Sequence, residues 1–264
     1  MAGTAIAEGQ LLERLARIAE EAGRAILRYY ATDLAVRTKS DATPVTDADQ
    51  AAEAVILEAL APLLPGVPVV AEEAMSGGSE PALGEIATAR FWLVDPLDGT
   101  KEFLSRNGEF TVNIALIESA RPRLGVVHLP ALGITYAGGA PGTATMAQSG
   151  EAPKPIAARQ TPADGAIVLA SRSHGDQAAL DSFLADEHVA ARLAAGSSLK
   201  FCRIAEGIAD LYPRLGRTME WDTAAGHAVL AAAGGSVSTL DGEMLRYGKP
   251  GFENPYFVAR GRPR

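Results

Sequence analysis

Cysteine is nearly absent. Cys202 is the one cysteine in 264 residues, so no internal disulfide can form, and a reducing compartment, the cytoplasm, is expected. Aromatics make up only 6%, and no apolar run approaches the ~18 residues that a spanning helix needs. Positive charge is in deficit: 24 Lys and Arg against 32 Asp and Glu give a net charge of −8. Proteins that hold nucleic-acid polymers carry a basic face, so no such partner is expected. A small anionic substrate stays open, because a few local cations outweigh an average. The N-terminus lacks the cationic patch and apolar core of a secretory signal. His128, His174, His188 and His227 show no zinc-ligand spacing. There is no G-x-S-x-G elbow, no G-x-G-x-x-G and no G-x-x-x-x-G-K-[ST], so those serine-hydrolase and nucleotide-loop chemistries are not indicated.

What is present is globular: 47% hydrophobic and 21% charged residues supply a core for one large domain or two small ones. Leu11, Leu12, Leu15, Ile18, Ala19, Ala22, Ile26 and Leu27 recur at helical spacing, which predicts a helix over residues 8–31. The polar stretch 38–44 reads as a loop or hairpin tip, and Thr46 as the cap of a second helix stopped by Pro62, Pro65 and Pro68. Strands are predicted over 67–71, 91–94, 110–118, 123–129 and 133–138. A Gly-, Pro-, Ala- and Thr-rich stretch follows over 139–165. The domain boundary is placed near its end, giving an N-terminal α+β part over 1–158 and a C-terminal α/β part over 159–264. In the second half, strands at 166–170, 211–213, 236–240 and 256–259 alternate with helices at 176–186, 199–209 and 223–233, an α/β layering.

The string Trp92-Leu93-Val94-Asp95-Pro96-Leu97-Asp98-Gly99-Thr100 carries the chemistry. A buried strand delivers two carboxylates into a tight turn, and Thr100 stands where a helix can begin. Free N–H groups at such a terminus bind phosphate. Metal-binding oxygens beside a phosphate cradle are the parts of metal-assisted phosphoester hydrolysis. Glu72 and Glu73 close a buried strand, where functional groups of α/β sheets tend to sit, although such a pair is also a solvated strand end. Asp49 follows Thr46 by three residues, which is also the N3 place of a capping box. Asp222 precedes an Ala-rich helix and could be a plain N-cap. These donors are all hard oxygens, the set that suits Mg²⁺ or Mn²⁺. Leu97-Asp98-Gly99-Thr100 is similar to the start of a haloacid-dehalogenase-type phosphatase, but the nucleophile position of that chemistry holds Pro96. An aspartyl-phosphate route is therefore not expected.

Asp95 to Thr100, together with Trp221-Asp222-Thr223-Ala224-Ala225-Gly226, resembles the two motifs of the inositol monophosphatase superfamily of metal-dependent, lithium-sensitive phosphatases. The Thr46-x-x-Asp49 stretch and Glu72-Glu73 fall in the expected order before the first motif, so the likeness covers essentially the whole chain. The strings 95–103, 196–202 and 205–214 are most similar to the bacterial 3′(2′),5′-bisphosphate nucleotidase branch. Inositol-type members carry an acid near the position of Arg214. A cation there suits a second phosphate better than a neutral polyol.

The resemblance implies an α/β fold, a layered αβαβα sandwich. It implies that Glu72, Asp95, Asp98 and the Leu97 carbonyl hold metal, and that Asp222 completes a second site. Two or three Mg²⁺ are expected, with Mn²⁺ able to substitute. Asp49 and Thr100, beside Glu72, would orient and deprotonate the attacking water, and the Gly99 and Thr100 amides would hold the scissile phosphate. His174, Ser197, Ser198, Lys200, Arg214 and Asp222 would meet the nucleotide. The implied reaction removes the 3′-phosphate of adenosine 3′,5′-bisphosphate, a by-product of sulfur metabolism, by direct attack of metal-activated water. The rivals are an inositol-1-phosphate or fructose-1,6-bisphosphate phosphatase and a non-catalytic nucleotide- or phosphate-binding protein. The expected state is a cytoplasmic monomer or homodimer, with peripheral attachment to the inner membrane as the alternative location.

Overall fold

Alternation along the strands sorts the side chains into separate cores, and those cores define the layers. The computed structural model describes residues 7–30, 36–38, 44–78, 90–171 and 177–263. Helices α1 (Glu8–Tyr30) and α2 (Asp47–Leu60) turn their apolar faces toward one another and toward a seven-stranded sheet. A short antiparallel hairpin, β1 (Val36–Thr38) with β2 (Pro44–Thr46), leads into α2, while the tip expected between them lies outside the described residues.

The large sheet runs β3 (Val69–Ala71), β4 (Arg90–Asp98), β5 (Thr111–Glu118), β6 (Arg121–Leu129), β7 (Ile134–Gly138), β8 (Thr145–Gln148) and β9 (Lys154–Pro155) in spatial order. Only β3 and β4 pair in parallel; the rest are antiparallel. Trp92, Val94, Ile114, Leu116, Leu124 and Val126 point to α1 and α2. Their neighbours Phe91, Leu93, Ala115, Ile117, Val127 and Leu129 point the other way, the period-two pattern of a strand buried on both faces.

That second face packs on α6 (Leu199–Ala205) and α7 (Ala224–Ala232). Gly125 and Gly138 are register partners on β6 and β7. A Cβ on Gly125 would lie 2.5 Å from the Ala225 carbonyl oxygen, and one on Gly138 would lie 2.7 Å from Val229 Cα. The absent side chains let α7 lie directly on the sheet. Beyond α6 and α7 stands a five-stranded sheet in the order β11 (Val189–Ala195), β10 (Ala166–Ser171), β12 (Leu211–Arg214), β14 (Phe257–Arg260), β13 (Ser236–Thr239). Leu169, Tyr212, Phe257 and Ala259 face inward, and Val168, Leu211 and Val258 face α5 (Gln177–Phe183) on the outside. The result is the five-layered αβαβα sandwich that the motifs led one to expect. No helix among the described residues is long and apolar enough to cross a membrane.

Three local expectations are corrected. The expected turn at residues 95–98 is instead the continuation of β4 as far as Asp98. The Gly- and Pro-rich stretch after residue 139, where no strand is predicted, contains β8 and β9, which extend the sheet. Strand β11 was not foreseen: its middle residues are exposed and Ala-rich, so they carry no alternation.

Candidate active site

Strand β4 delivers two acids to one cavity by breaking its own period. In a regular strand, residues three apart face opposite sides. On β4, Asp95 pairs with Asn113 and Asp98 with Thr111. Three steps on β4 therefore match two on β5, a bulge at Pro96-Leu97 that turns Asp98 back toward the side of Asp95. Pro96 is tolerated there because a bulge needs no ladder N–H. The Leu97 side chain stays in the α1–α2 core, and its N–H donates to Asp95 Oδ1 at 3.0 Å.

The parallel register of β3 with β4 ends at Ala71 beside Val94, so the next residue, Glu72, comes level with Asp95. Glu72 opens a short helix, α3 (Glu72–Ser76), rather than ending a strand in solvent. Buried Glu53 on α2 accepts the Glu73 N–H at 2.9 Å and so fixes this corner. Burial raises its pKa, and that main-chain bond opposes the rise. Asp222 arrives from the turn before α7, with its Oδ2 accepting the Met219 N–H at 2.8 Å. Asp98 Oδ2 accepts the Ser198 N–H at 2.7 Å. Each of these three aspartates thus has one oxygen tethered by a main-chain N–H.

Glu72, Asp95, Asp98 and Asp222 line a single cavity of about 250 Å³. Leu97, Gly99, Thr100, Ser197, Lys200 and Arg214 line it as well, so the structure gathers ten of the thirteen expected residues. Asp49 is buried on α2 behind the wall, and its charge reaches Asp95. Ser198 is 1% exposed, enclosed in the protein. His174 lies outside the described residues. Gly99 adopts φ +92° immediately before the short helix α4 (Thr100–Leu104), a left-handed turn that glycine makes without strain.

The charges are out of balance. Burial first, then Glu72, Asp98, Asp222 and Asp49, push the Asp95 carboxyl well above its usual range. Asp222 is raised in the same way, by burial and then by Asp98 and Glu72. Burial raises Asp98 to about 6, although Lys200 and the Ser198 N–H hold it down. Lys200 is buried, not a solvated helix charge. Its Nζ donates to the Ala195 carbonyl at 3.3 Å and lies 5.2 Å from the centre of the Tyr212 ring. Burial lowers it to about 8, and Asp98 opposes that shift. Arg214 donates to the Arg217 carbonyl at 2.8 Å, and its Nε is buried with no hydrogen-bond partner among the described residues. Arg217 and Lys101 also line the cavity, so cations stand around an acidic floor.

Among the described residues, no three acid, histidine or cysteine side chains are yet gathered to the separations of a formed metal site. The four acids nevertheless line one cavity, and the charges of Glu72 and Asp98 add to burial in raising both Asp95 and Asp222. A hard oxygen donor set with tethered, mutually repelling carboxylates fits a divalent cation. Sequence reasoning missed Glu53, Asn113, Lys101 and Arg217. Glu53 could have been found one helical turn beyond Asp49, and Asn113 as the one amide in an apolar strand.

The inositol monophosphatase family model matches residues 9–261. The chain belongs to the inositol monophosphatase family. Phosphatases of this family are generally metal-dependent. A 3′(2′),5′-bisphosphate nucleotidase, CysQ of Salmonella typhimurium, is 47% identical over 254 residues, 94% of this chain and 98% of that protein. CysQ of Escherichia coli K12 is 46% identical over the same shares. Among solved structures, CysQ from Bacteroides thetaiotaomicron superposes with a TM-score of 0.82 at 32% identity, covering 99% of this chain and all of that one. An inositol monophosphatase from Thermotoga maritima gives a TM-score of 0.75 at 22% identity over 94% of this chain and 91% of that one, a likeness of fold.

Proposed function

We propose that this chain removes the 3′-phosphate of adenosine 3′,5′-bisphosphate, giving AMP and phosphate. The observation that carries the proposal is one cavity with four acids on its floor and Lys200, Arg214 and Arg217 in its wall. The extended identity to bisphosphate nucleotidases supports the same reading. We assign Glu72, Asp95, Asp98, Asp222 and the Leu97 carbonyl to two or three Mg²⁺, replaceable by Mn²⁺. When bound, such ions neutralise the acids, acidify water and polarise phosphoryl oxygens.

The remaining roles fall to the chain. The N–H groups of Gly99 and Thr100 cradle the scissile phosphate. Asp49 and Thr100 take and hold the proton of the attacking water. Arg214, with Lys200 and Ser197 beside it, meets the second phosphate through charge-assisted bonds, and His174 meets the nucleoside. In this reading the metal-holding acids up to residue 158 and the nucleotide-binding residues of 159–264 belong to two units that meet at the cavity. The proposed place of action is the cytoplasm.

Phosphate release in Mg²⁺ tests the assignment. Adenosine 3′,5′-bisphosphate should exceed inositol 1-phosphate and fructose 1,6-bisphosphate by ~100-fold in kcat/KM, about 2.7 kcal/mol. Arg214→Ala should cost the nucleotide about 30-fold, roughly 2 kcal/mol, and leave inositol 1-phosphate nearly untouched. A lead for inositol phosphate overturns the substrate assignment. Nucleotide binding with no turnover would mark a binding protein.

A further inference from the structure

Ser198 sits beside Ser197 in sequence but does not share its surroundings. Ser197 lines the cavity, whereas Ser198 is 1% exposed and has its N–H and its hydroxyl both engaged inside the protein. Its N–H donates to Asp98 Oδ2 at 2.7 Å, and its hydroxyl donates to the Asp222 carbonyl at 2.7 Å. Asn113, also 1% exposed, donates from Nδ2 to Ser198 Oγ at 3.0 Å and to Asp98 Oδ2 at 3.4 Å. A hydroxyl has one proton and two lone pairs. Here the proton goes to Asp222 and a lone pair to Asn113.

We infer that Ser198 is a positioning residue, tying Asp98 to Asp222 with Asn113 as its support, and not a group that touches substrate. The inference rests on the proposed reading of those two acids as metal ligands. Asp98 ends a strand of the large sheet, while Asp222 lies on a turn far along the chain. Nothing local fixes their separation. One serine bonded to both residues does, and it bonds without spending the other oxygen of Asp98. Partners of this kind set how well a ligand pair receives its ion.

The test is a Mg²⁺ titration of the intact chain without substrate, read as the rise in thermal midpoint. Ser198→Ala should raise the Mg²⁺ concentration for half-maximal effect by about 10-fold, and Asn113→Ala should raise it by a smaller factor, about 3-fold. Ser198→Thr keeps the hydroxyl and should stay within about 2-fold of the parent. The double variant should fall short of the product of the single effects, because both act on one network. A merely structural serine would lower the midpoint in EDTA but leave the Mg²⁺ concentration dependence unchanged, and that result overturns the inference. Should Ser198→Ala fail to fold, Asn113→Ala and Ser198→Thr decide the matter on the same scale. Asp222→Asn separates the two readings. If it titrates like the parent, the ligand assignment fails. If it loses the response while Ser198→Ala and Asn113→Ala keep the parent's, only the positioning role fails.

Discussion

Asp95 and Asp98 reach the cavity along one strand, whereas Asp222 reaches it from a turn that distant residues hold in place. The first corner is made locally. A one-residue bulge and a bond between Asp95 and the Leu97 N–H set the backbone there, on a strand buried on both faces, and only the Asp98 carboxylate takes a distant partner, the Ser198 N–H. The second corner is assembled. Glu220 accepts the N–H groups of Gly248 and Lys249 at 2.6 and 2.9 Å and pairs with the Lys249 ammonium at 2.6 Å. Asn254 Nδ2 donates to the Met219 carbonyl at 2.8 Å and to Thr223 Oγ1 at 3.1 Å. A local corner survives changes elsewhere in the chain, while an assembled corner depends on the packing of its supports.

The largest expected effect treats the two corners alike. Asp95→Asn and Asp222→Asn should each cut kcat/KM in Mg²⁺ by ~10³-fold or more. In EDTA both variants should melt at or above the parent's temperature, because each removes a buried charge that its neighbours repel. A lower melting temperature in EDTA would mean that the carboxylates support the fold and would break the electrostatic account. The next effect separates the corners. Asn254→Ala strips the support of the Asp222 turn and should cost about 2 kcal/mol in denaturant unfolding, with activity falling alongside. Unfolding at the parent's denaturant concentration would show that the turn holds itself.

One further effect is confined to neither corner and concerns two buried histidines. His128, on β6, is lowered by burial to about 4, and His227, on α7 against the Tyr247 hydroxyl, by burial to about 3. Both are neutral when folded and protonate near pH ~6.5 when unfolded. The unfolded chain therefore binds more protons below that pH. The stability they contribute is intact above it and is lost as pH falls toward their folded values, by about 1.4 kcal/mol per pH unit for each histidine. Denaturant unfolding between about pH 7 and about pH 5 should show this slope. Half that slope would mean that one of them is solvated, and a flat profile that both are.

Much of the fold was legible because its signals are local. The helix expected over 8–31 is α1, and the apolar runs at 110–118 and 123–129 are β5 and β6, one residue shorter and two residues longer. Legibility failed where pairing, and not side chains, makes the strand. The exposed run 189–195 becomes an edge strand only because β10 offers it a parallel partner. Pro96 reads as a stop, yet the chain passes through it because the bulge asks nothing of its missing N–H.

The site divides in the same way. Residue type and order alone set which oxygens and cations are available, the alternation that separates the two faces of the large sheet, and the order of the acidic motifs. Packing and strand pairing turn Asp98 back beside Asp95, enclose Lys200, and give two adjacent serines different places, Ser197 on the cavity and Ser198 between Asp98 and Asp222. Residue type and spacing are written along the chain. The bonds of Ser198 reach partners 24, 85 and 100 residues away, so its role exists only once both sheets have packed.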